Sequence, residues 1–294
     1  MARSLGTGLV ANLRLRFGNA VRRLRRPSPS PSPSPSLVAN VYETPNGTFA
    51  IASSDSVIGS VLHQGRSWGA EEVDRILAVA TPDSDVLFVG GHVGTLAIPV
   101  ARKVRSVTIV EANPRNFRFL SANLQLNAVE NARLFPLAAG EKAGTIEFLA
   151  SKHNTGGSKR KPLVADERYY YDSPDLISVP MARLDDVIQE RFSIIVMDIE
   201  GSEYFALKGM PRLLEAADCL FVEFLPHHLD NVSGVSVEAF LDAIGPSYRF
   251  LYNPSDGETV SGDAILAKAK ALYAAGVGED VLVFSKRSLA GRIG

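Results

Sequence analysis

Cysteine is almost absent from this chain of 294 residues: Cys219 stands alone. That excludes an intramolecular disulfide and a cysteine-built metal cluster. Its place in the apolar run CLFVEF marks it as a buried core thiol. Long hydrophobic runs are missing too. No stretch reaches the roughly 18 apolar residues of a membrane-spanning helix, and the N-terminus lacks the apolar segment, about 7–15 residues long, of a secretory signal. A surplus of either charge is also absent, since 31 Lys and Arg face 32 Asp and Glu. The balance hides an asymmetry. The first 26 residues hold seven arginines (Arg3, Arg14, Arg16, Arg22, Arg23, Arg25, Arg26) and no acid, so the remainder is net acidic. A basic body is the mark of a nucleic-acid binder, and nucleic acid is therefore not an expected partner.

What is present is enough apolar material, 46% of residues, for one large α/β domain with appendages. Residues 27–36 read PSPSPSPSPS. Alternating prolines fix φ and remove backbone donors, so this stretch predicts an extended spacer. The chain thus divides into a basic arm (1–26), a Pro-Ser linker (27–37) and a folded domain (38–294), the last with an N-terminal extension (38–81) before its core (82–294). The arm reads either as a segment that touches a membrane surface, an acidic partner or an import system, or as a disordered basic tail. A cytoplasmic location is the expectation for the body.

A rhythm of strands and helices follows. The stretch TFAIASSD alternates as a strand does, and Val73, Ile76, Leu77 and Ala80 recur at helical spacing before Pro82. DVLFVG (85–90), SVTIVEA (106–112), ARLFPLAA (132–139) and GTIEFLA (144–150) read as strands, the last as a side hairpin. Phe117, Leu120, Leu124 and Asn127 mark a helix between the second and third. Residues 151–176 break the rhythm with a polar, tyrosine-bearing loop of the kind that forms functional lids. FSIIVMDIE (192–200), DCLFVEFLP (218–226), YRFLYN and DVLVFSK (280–286) resume it. Strands alternating with helices predict a doubly wound, mostly parallel sheet.

Two places carry chemistry. In VLFVGGHVGT a strand ends at Gly90 and a turn runs to Gly94, putting backbone N–H groups beside the strand end. Glycine there would let a ligand approach closely. Glu111 ends the next strand, where a carboxylate can accept both hydroxyls of a ribose. The spacing of Gly90, Gly91 and Gly94 is not the G-x-G-x-x-G of a dinucleotide fold. A looser turn suits S-adenosylmethionine, which has no phosphate. The second place is MDIEGSE (197–203). On a strand Asp198 and Glu200 share one face, and the C-terminal end of a central strand is where open α/β sheets bind ligands. Both are expected to orient the acceptor or take its proton, with a divalent cation between them the less favoured reading and no metal ligand assigned. Glu203 falls in a first helical turn, where the dipole favours an anion. Glu223 ends the following strand beside His227 and His228, and His227 is the candidate general base. Tyr169, Tyr170 and Tyr171 either stack on a sugar or pack the loop. Lys159, Arg160 and Lys161 read as a solvated charge run.

The stretch from Val86 to Glu223 resembles the FkbM family of methyltransferases. The likeness runs through VGGHVG, IVEANPRNFRFLSANLQLN with its spaced Asn123 and Asn127, PLAAGEKAGTIEF, the NTGGS loop, LDDV and above all MDIEGSE. The resemblance implies a class I methyltransferase, Rossmann-like sheet of seven strands, six parallel and one antiparallel at an edge. It also implies S-adenosylmethionine as cofactor, held by Gly90, Gly91, His92, Gly94, Glu111, Ala112, Asn113 and Ala138. It further implies O-methylation of a hydroxyl on a sugar, glycan or polyketide-like small molecule. Four positions depart from the family pattern: Phe88 where an acid is usual, Gly91 and His92 where Ala-Asn is usual, and Ala112 where proline is usual. They motivate the alternative of a catalytically degenerate binding protein with the same fold.

Overall fold

The computed structural model describes residues 38–293. The basic arm and the Pro-Ser linker lie outside the described residues. The folded body opens on an antiparallel hairpin, β1 (Ala39–Thr44) and β2 (Gly47–Ala52). A helix, Ala70–Val79, buries Val73, Ile76 and Val79. Then come β3 (Asp85–Val89), β4 (Ser106–Val110), a helix Pro114–Leu126 and β5 (Ala132–Phe135). The stretch read as one strand over 132–139 breaks at Pro136, because proline cannot donate to a ladder. Its second half becomes β6 (Ala138–Ala139), which joins β7 (Gly144–Ala150), β8 (Lys159–Arg160) and β9 (Asp175–Ala182) in a separate four-stranded sheet. β10 (Ile194–Met197), β11 (Cys219–Phe224), β12 (Phe250–Asn253), β13 (Glu258–Ser261) and β14 (Glu279–Ser285) complete the main sheet.

The main sheet has eight strands in the order β13-β12-β14-β11-β10-β3-β4-β5. From β11 to β5 all neighbours pair parallel. β14 runs antiparallel to both β11 and β12. The α/β expectation stands, and the strand count does not. The antiparallel strand lies inside the sheet, between β11 and β12, and the edge is the additional β13. The connection from β12 to β13 spans only residues 254–257, too short for a crossover, so the two must pair antiparallel.

Alternation along each strand feeds two cores. Val86 and Phe88 of β3, Ile194 and Val196 of β10, and Cys219 and Phe221 of β11 belong to one face. Leu87, Val89, Ile195, Met197, Leu220 and Val222 belong to the other. Near-continuous apolar runs on both faces are what a sheet covered on both sides requires. Cys219 is buried as expected, and burial pushes its thiol up to about 11. The N-terminal extension is built into this domain by two side-chain amides one helical turn apart. Asn123 accepts from the Ala50 N–H (2.7 Å) and donates to the Ala50 and Val93 carbonyls. Asn127 accepts from the Thr48 N–H (2.9 Å) and donates to its carbonyl. The helix Pro114–Leu126 thus pairs with the free edge of β2 through side chains, satisfying backbone groups that would otherwise be orphaned. Sheet order reverses between β3 and β10, and the crevice beyond those strand ends is the natural ligand site.

Candidate active site

Gly90 and Asp198 follow directly on β3 and β10, and their backbones are pressed together. A Cβ on Gly90, whose φ is +96°, would lie 1.8 Å from the Asp198 carbonyl oxygen. Only glycine fits both that conformation and that contact. The reason differs from the expected one: the missing Cβ makes room for the neighbouring strand. Likewise a Cβ on Gly91 would meet Ile109, and one on Gly94 would meet Ile98 and Leu120. Both glycines serve packing, and the helix they lead into is only Ala97–Ala101.

Glu111 is the fixed point of the first pocket. Its carboxylate accepts from the His92 N–H and the Asn113 N–H, both at 2.7 Å. Burial still raises its pKa to about 7 against those bonds. His92 is held at φ +47°, a costly value for a non-glycine residue, and its Nε2 meets Thr155 Oγ1 at 2.7 Å. Burial lowers its pKa to about 4, so the ring is neutral. The pocket is a cleft of about 510 Å³ that opens to solvent. Its polar lining includes Glu111, Asn116, Ser158, Asp198 and Ser202; its apolar wall includes Ala112, Ala138, Ile146 and Phe148. The small side sheet supplies the last three of these. Gly90, Glu111, Ala112 and Ala138 therefore face the cavity. Gly91, His92, Gly94 and Asn113 stand behind it: Asn113 caps the helix by accepting from the Arg115 N–H and donates to Ser158 Oγ. Asn116 was not foreseen. It is 2% exposed, its Nδ2 donates to the Thr155 carbonyl, and its Oδ1 has no partner. Phe88 packs in a core cluster and does not line the pocket.

A second cavity, of about 690 Å³, adjoins the first. Successive residues of two segments divide between them. Gly156, Ser158 and Asp198 line the first pocket, whereas Gly157, Lys159 and Glu200 line the second. Asp198 and Glu200 sit just past the end of β10, and Glu200 takes φ +57°, again in the left-handed region. They were expected to share one face of the strand. Because the chain turns after Met197, they face different cavities.

Lys159 is no solvated charge. It is 7% exposed, its Nζ donates to Glu200 Oε2 at 2.6 Å, and it lies 5.4 Å above the Tyr169 ring. It is buried within β8, whereas Lys161, just past the end of that strand, makes an exposed salt bridge with Glu147. The histidine bound to the carboxylates is His228 rather than His227. Its Nδ1 is 3.1 Å from Glu223 Oε2 and its Nε2 is 3.6 Å from Glu200 Oε2. Burial drives its pKa down to about 2, so it too is neutral. A π-helical turn, Leu229–Ser233, follows it, an irregularity common at functional sites. His227 lines the second cavity, its ring stacked on Tyr169 (6.0 Å) and His228 (4.4 Å). Of the three tyrosines, Tyr169 packs inward and donates to the His227 carbonyl, Tyr171 opens onto the second cavity, and Tyr170 lines neither.

The acids are crowded. Ligand atoms of Glu200, Glu223 and His228 lie within 4.8 Å of one another, as do those of Asp198, Glu203 and Glu223. Burial, and then mutual repulsion, lifts Asp198 and Glu223 well above the usual carboxylate range; Asp198 is raised although its carboxyl reaches the open cleft. Burial takes Glu203 to about 7. Glu203 is buried and accepts from the Ile199 N–H at 2.8 Å, so it is no exposed dipole partner. Groups this close titrate as a set.

The chain is 25% identical over 162 residues to the hexuronic acid methyltransferase AglP of Haloferax volcanii, covering 53% of this chain and 62% of that one. It thus spans less than two thirds of that relative. The crystal structure of methyltransferase FkbM from Methylobacillus flagellatus superposes with a TM-score of 0.42 at 18% identity, covering 70% of this chain and 44% of the other. That of M. jannaschii TYW2 in complex with AdoMet superposes at 0.42 and 11% identity, covering 85% and 86%. The methyltransferase FkbM domain model matches residues 89–252, more than half of the chain and the whole span from the Glu111 pocket to the carboxylate cluster. The chain belongs to the FkbM methyltransferase family.

Proposed function

We propose that the protein is an S-adenosylmethionine-dependent O-methyltransferase acting on a hydroxyl of a sugar or related small molecule. The observation that carries this reading is the pair of adjoining cavities, parted by residues 156–159 and 198–200. The first suits a nucleoside: Glu111 for ribose hydroxyls, the apolar wall for a flat base, and Asn116 Oδ1 as an acceptor awaiting a donor. A buried polar atom without a partner is costly unless a ligand completes it. S-adenosylmethionine would supply a methyl group already activated by its sulfonium, so the protein has to position the acceptor and remove a proton. Glu200 is the group for that proton. Lys159 pairs with it, and Glu223 with His228 backs it from the other side. His227 then forms acceptor wall. Lys159 already supplies the positive charge that a cation would bring to Glu200, so the reading needs no metal.

Calorimetric titration tests the cofactor. The protein should bind S-adenosylmethionine or its demethylated product at micromolar level, and Glu111→Ala should weaken binding by about 1–3 kcal/mol. No heat from either nucleoside would sink the reading and favour a family member without catalysis.

A further inference from the structure

We infer that the second cavity selects an uncharged or amino-bearing sugar ring and rejects hexuronic acids. The inference rests on reading that cavity as the acceptor site. Recognition of a carboxylate calls for an available cation, best an arginine presenting its planar fork. The cavity has two candidate cations among the described residues, and each is engaged. Lys159 Nζ is 2.6 Å from Glu200 Oε2, and Arg168 Nε is 3.0 Å from Asp166 Oδ2. Sharing the lining are Glu200, Asp280 and Glu223, the last pushed by burial toward its neutral form. His227 and His228 add no charge, since burial lowers the pKa of each. The lining therefore offers no unpaired cation, and an incoming carboxylate would face Glu200 and Asp280 with only neutral donors such as Asn154 and the outer edge of the Asp166-bound Arg168 to offset its desolvation.

The rest of the lining suits a neutral ring. Tyr171 is 63% exposed and offers an open aromatic face, and the Tyr169–His227 stack, within 6° of parallel, stiffens the adjoining wall. Aromatic faces are electron-rich and pack against the C–H face of a sugar. Acidic oxygens around them accept from ring hydroxyls or from an ammonium group. The hexuronic acid specificity named for the 25%-identical relative therefore does not carry over.

The test is methyl transfer from labelled S-adenosylmethionine to a panel of methyl hexosides, the matched methyl hexosaminides and the matched methyl hexuronides, read by mass spectrometry. Neutral or amino sugars should be labelled at least about tenfold faster than the uronides, the scale of one uncompensated charge contact. Asp280→Lys adds a cation at an exposed position of the wall and should narrow that ratio severalfold without lowering the melting temperature. Uronides labelled as fast as or faster than neutral sugars would overturn the charge argument and leave methyl transfer standing. If the protein binds S-adenosylmethionine and labels no sugar on the panel, the sugar acceptor falls and this inference with it. An unchanged ratio in a folded Asp280→Lys protein would also refute it.

Discussion

Replacing Glu203 by glutamine should stabilise the protein at pH 8 and do almost nothing at pH 5. The carboxyl of Glu203 titrates near 4.5 in an unfolded chain and near 7 in the fold, because burial outweighs the backbone N–H groups it accepts from. The folded state therefore binds the proton more tightly. Its contribution to stability is complete below about pH 4.5, falls as pH rises, and is lost once pH passes about 7. The gap amounts to about 3 kcal/mol of ionisation penalty carried at pH 8. Glutamine carries no such penalty. Its carbonyl keeps the bond from the Ile199 N–H, but a neutral acceptor is weaker than a charged one by about 1 kcal/mol. The net gain at pH 8 is then about 2 kcal/mol, or about 4–8 °C in melting temperature for a domain of this size. Calorimetric melts of both proteins at pH 5 and pH 8 decide it. The reasoning fails if the substituted protein melts at or below the wild type at pH 8, or if the difference is the same at both pH values. A dipole partner at a helix start would behave in the opposite way, losing up to about 1 kcal/mol on substitution.

Gly90→Ala should cost about 2 kcal/mol or more, since its Cβ would collide with the Asp198 carbonyl at a positive φ; a melting temperature within a degree of the wild type would refute that contact. Lys159→Met leaves Glu200 unpaired and should destabilise by about 3–5 kcal/mol, with most of the loss recovered in Lys159→Met/Glu200→Gln; equal melts for the single and double variants would break the pairing. Asp198→Asn and Glu200→Gln should each lower turnover by about 10²–10⁴-fold, but only Asp198, which lines the first cavity, should also change the cofactor dissociation constant. A chelator should leave the rate unchanged, and loss of activity restored by Mg²⁺ would hand the acidic cluster to a metal.

The sequence by itself determined the family, the α/β class and most central strands. Those features are written locally: apolar runs such as LFVG, TIVE and IIVMD end in glycine or acid where a strand meets its ligand end, and MDIEGSE places two carboxylates there at fixed spacing. It also put Glu111 and Asp198 at the C-terminal ends of their strands, where ligands bind open α/β sheets, and both line the first pocket. What it left open depends on groups far apart in the chain. β13 was illegible because ETVS is short and polar. The pairing of Asn123 and Asn127 with β2 joins residues 73 and 79 positions apart. Lys159 sits between Ser158 and Arg160 in a run that looks solvated, and only the docking of β8 on β7 turns it toward Glu200. His227 and His228 are adjacent and chemically identical, so one turn of backbone decided which of them meets the carboxylates. Asn116 reads as an ordinary helix residue, and its unpartnered oxygen appears only when the Thr155 loop closes over it. Charge, burial and cavity shape are sums over neighbours that sequence order does not adjoin, and tertiary structure alone assembles them.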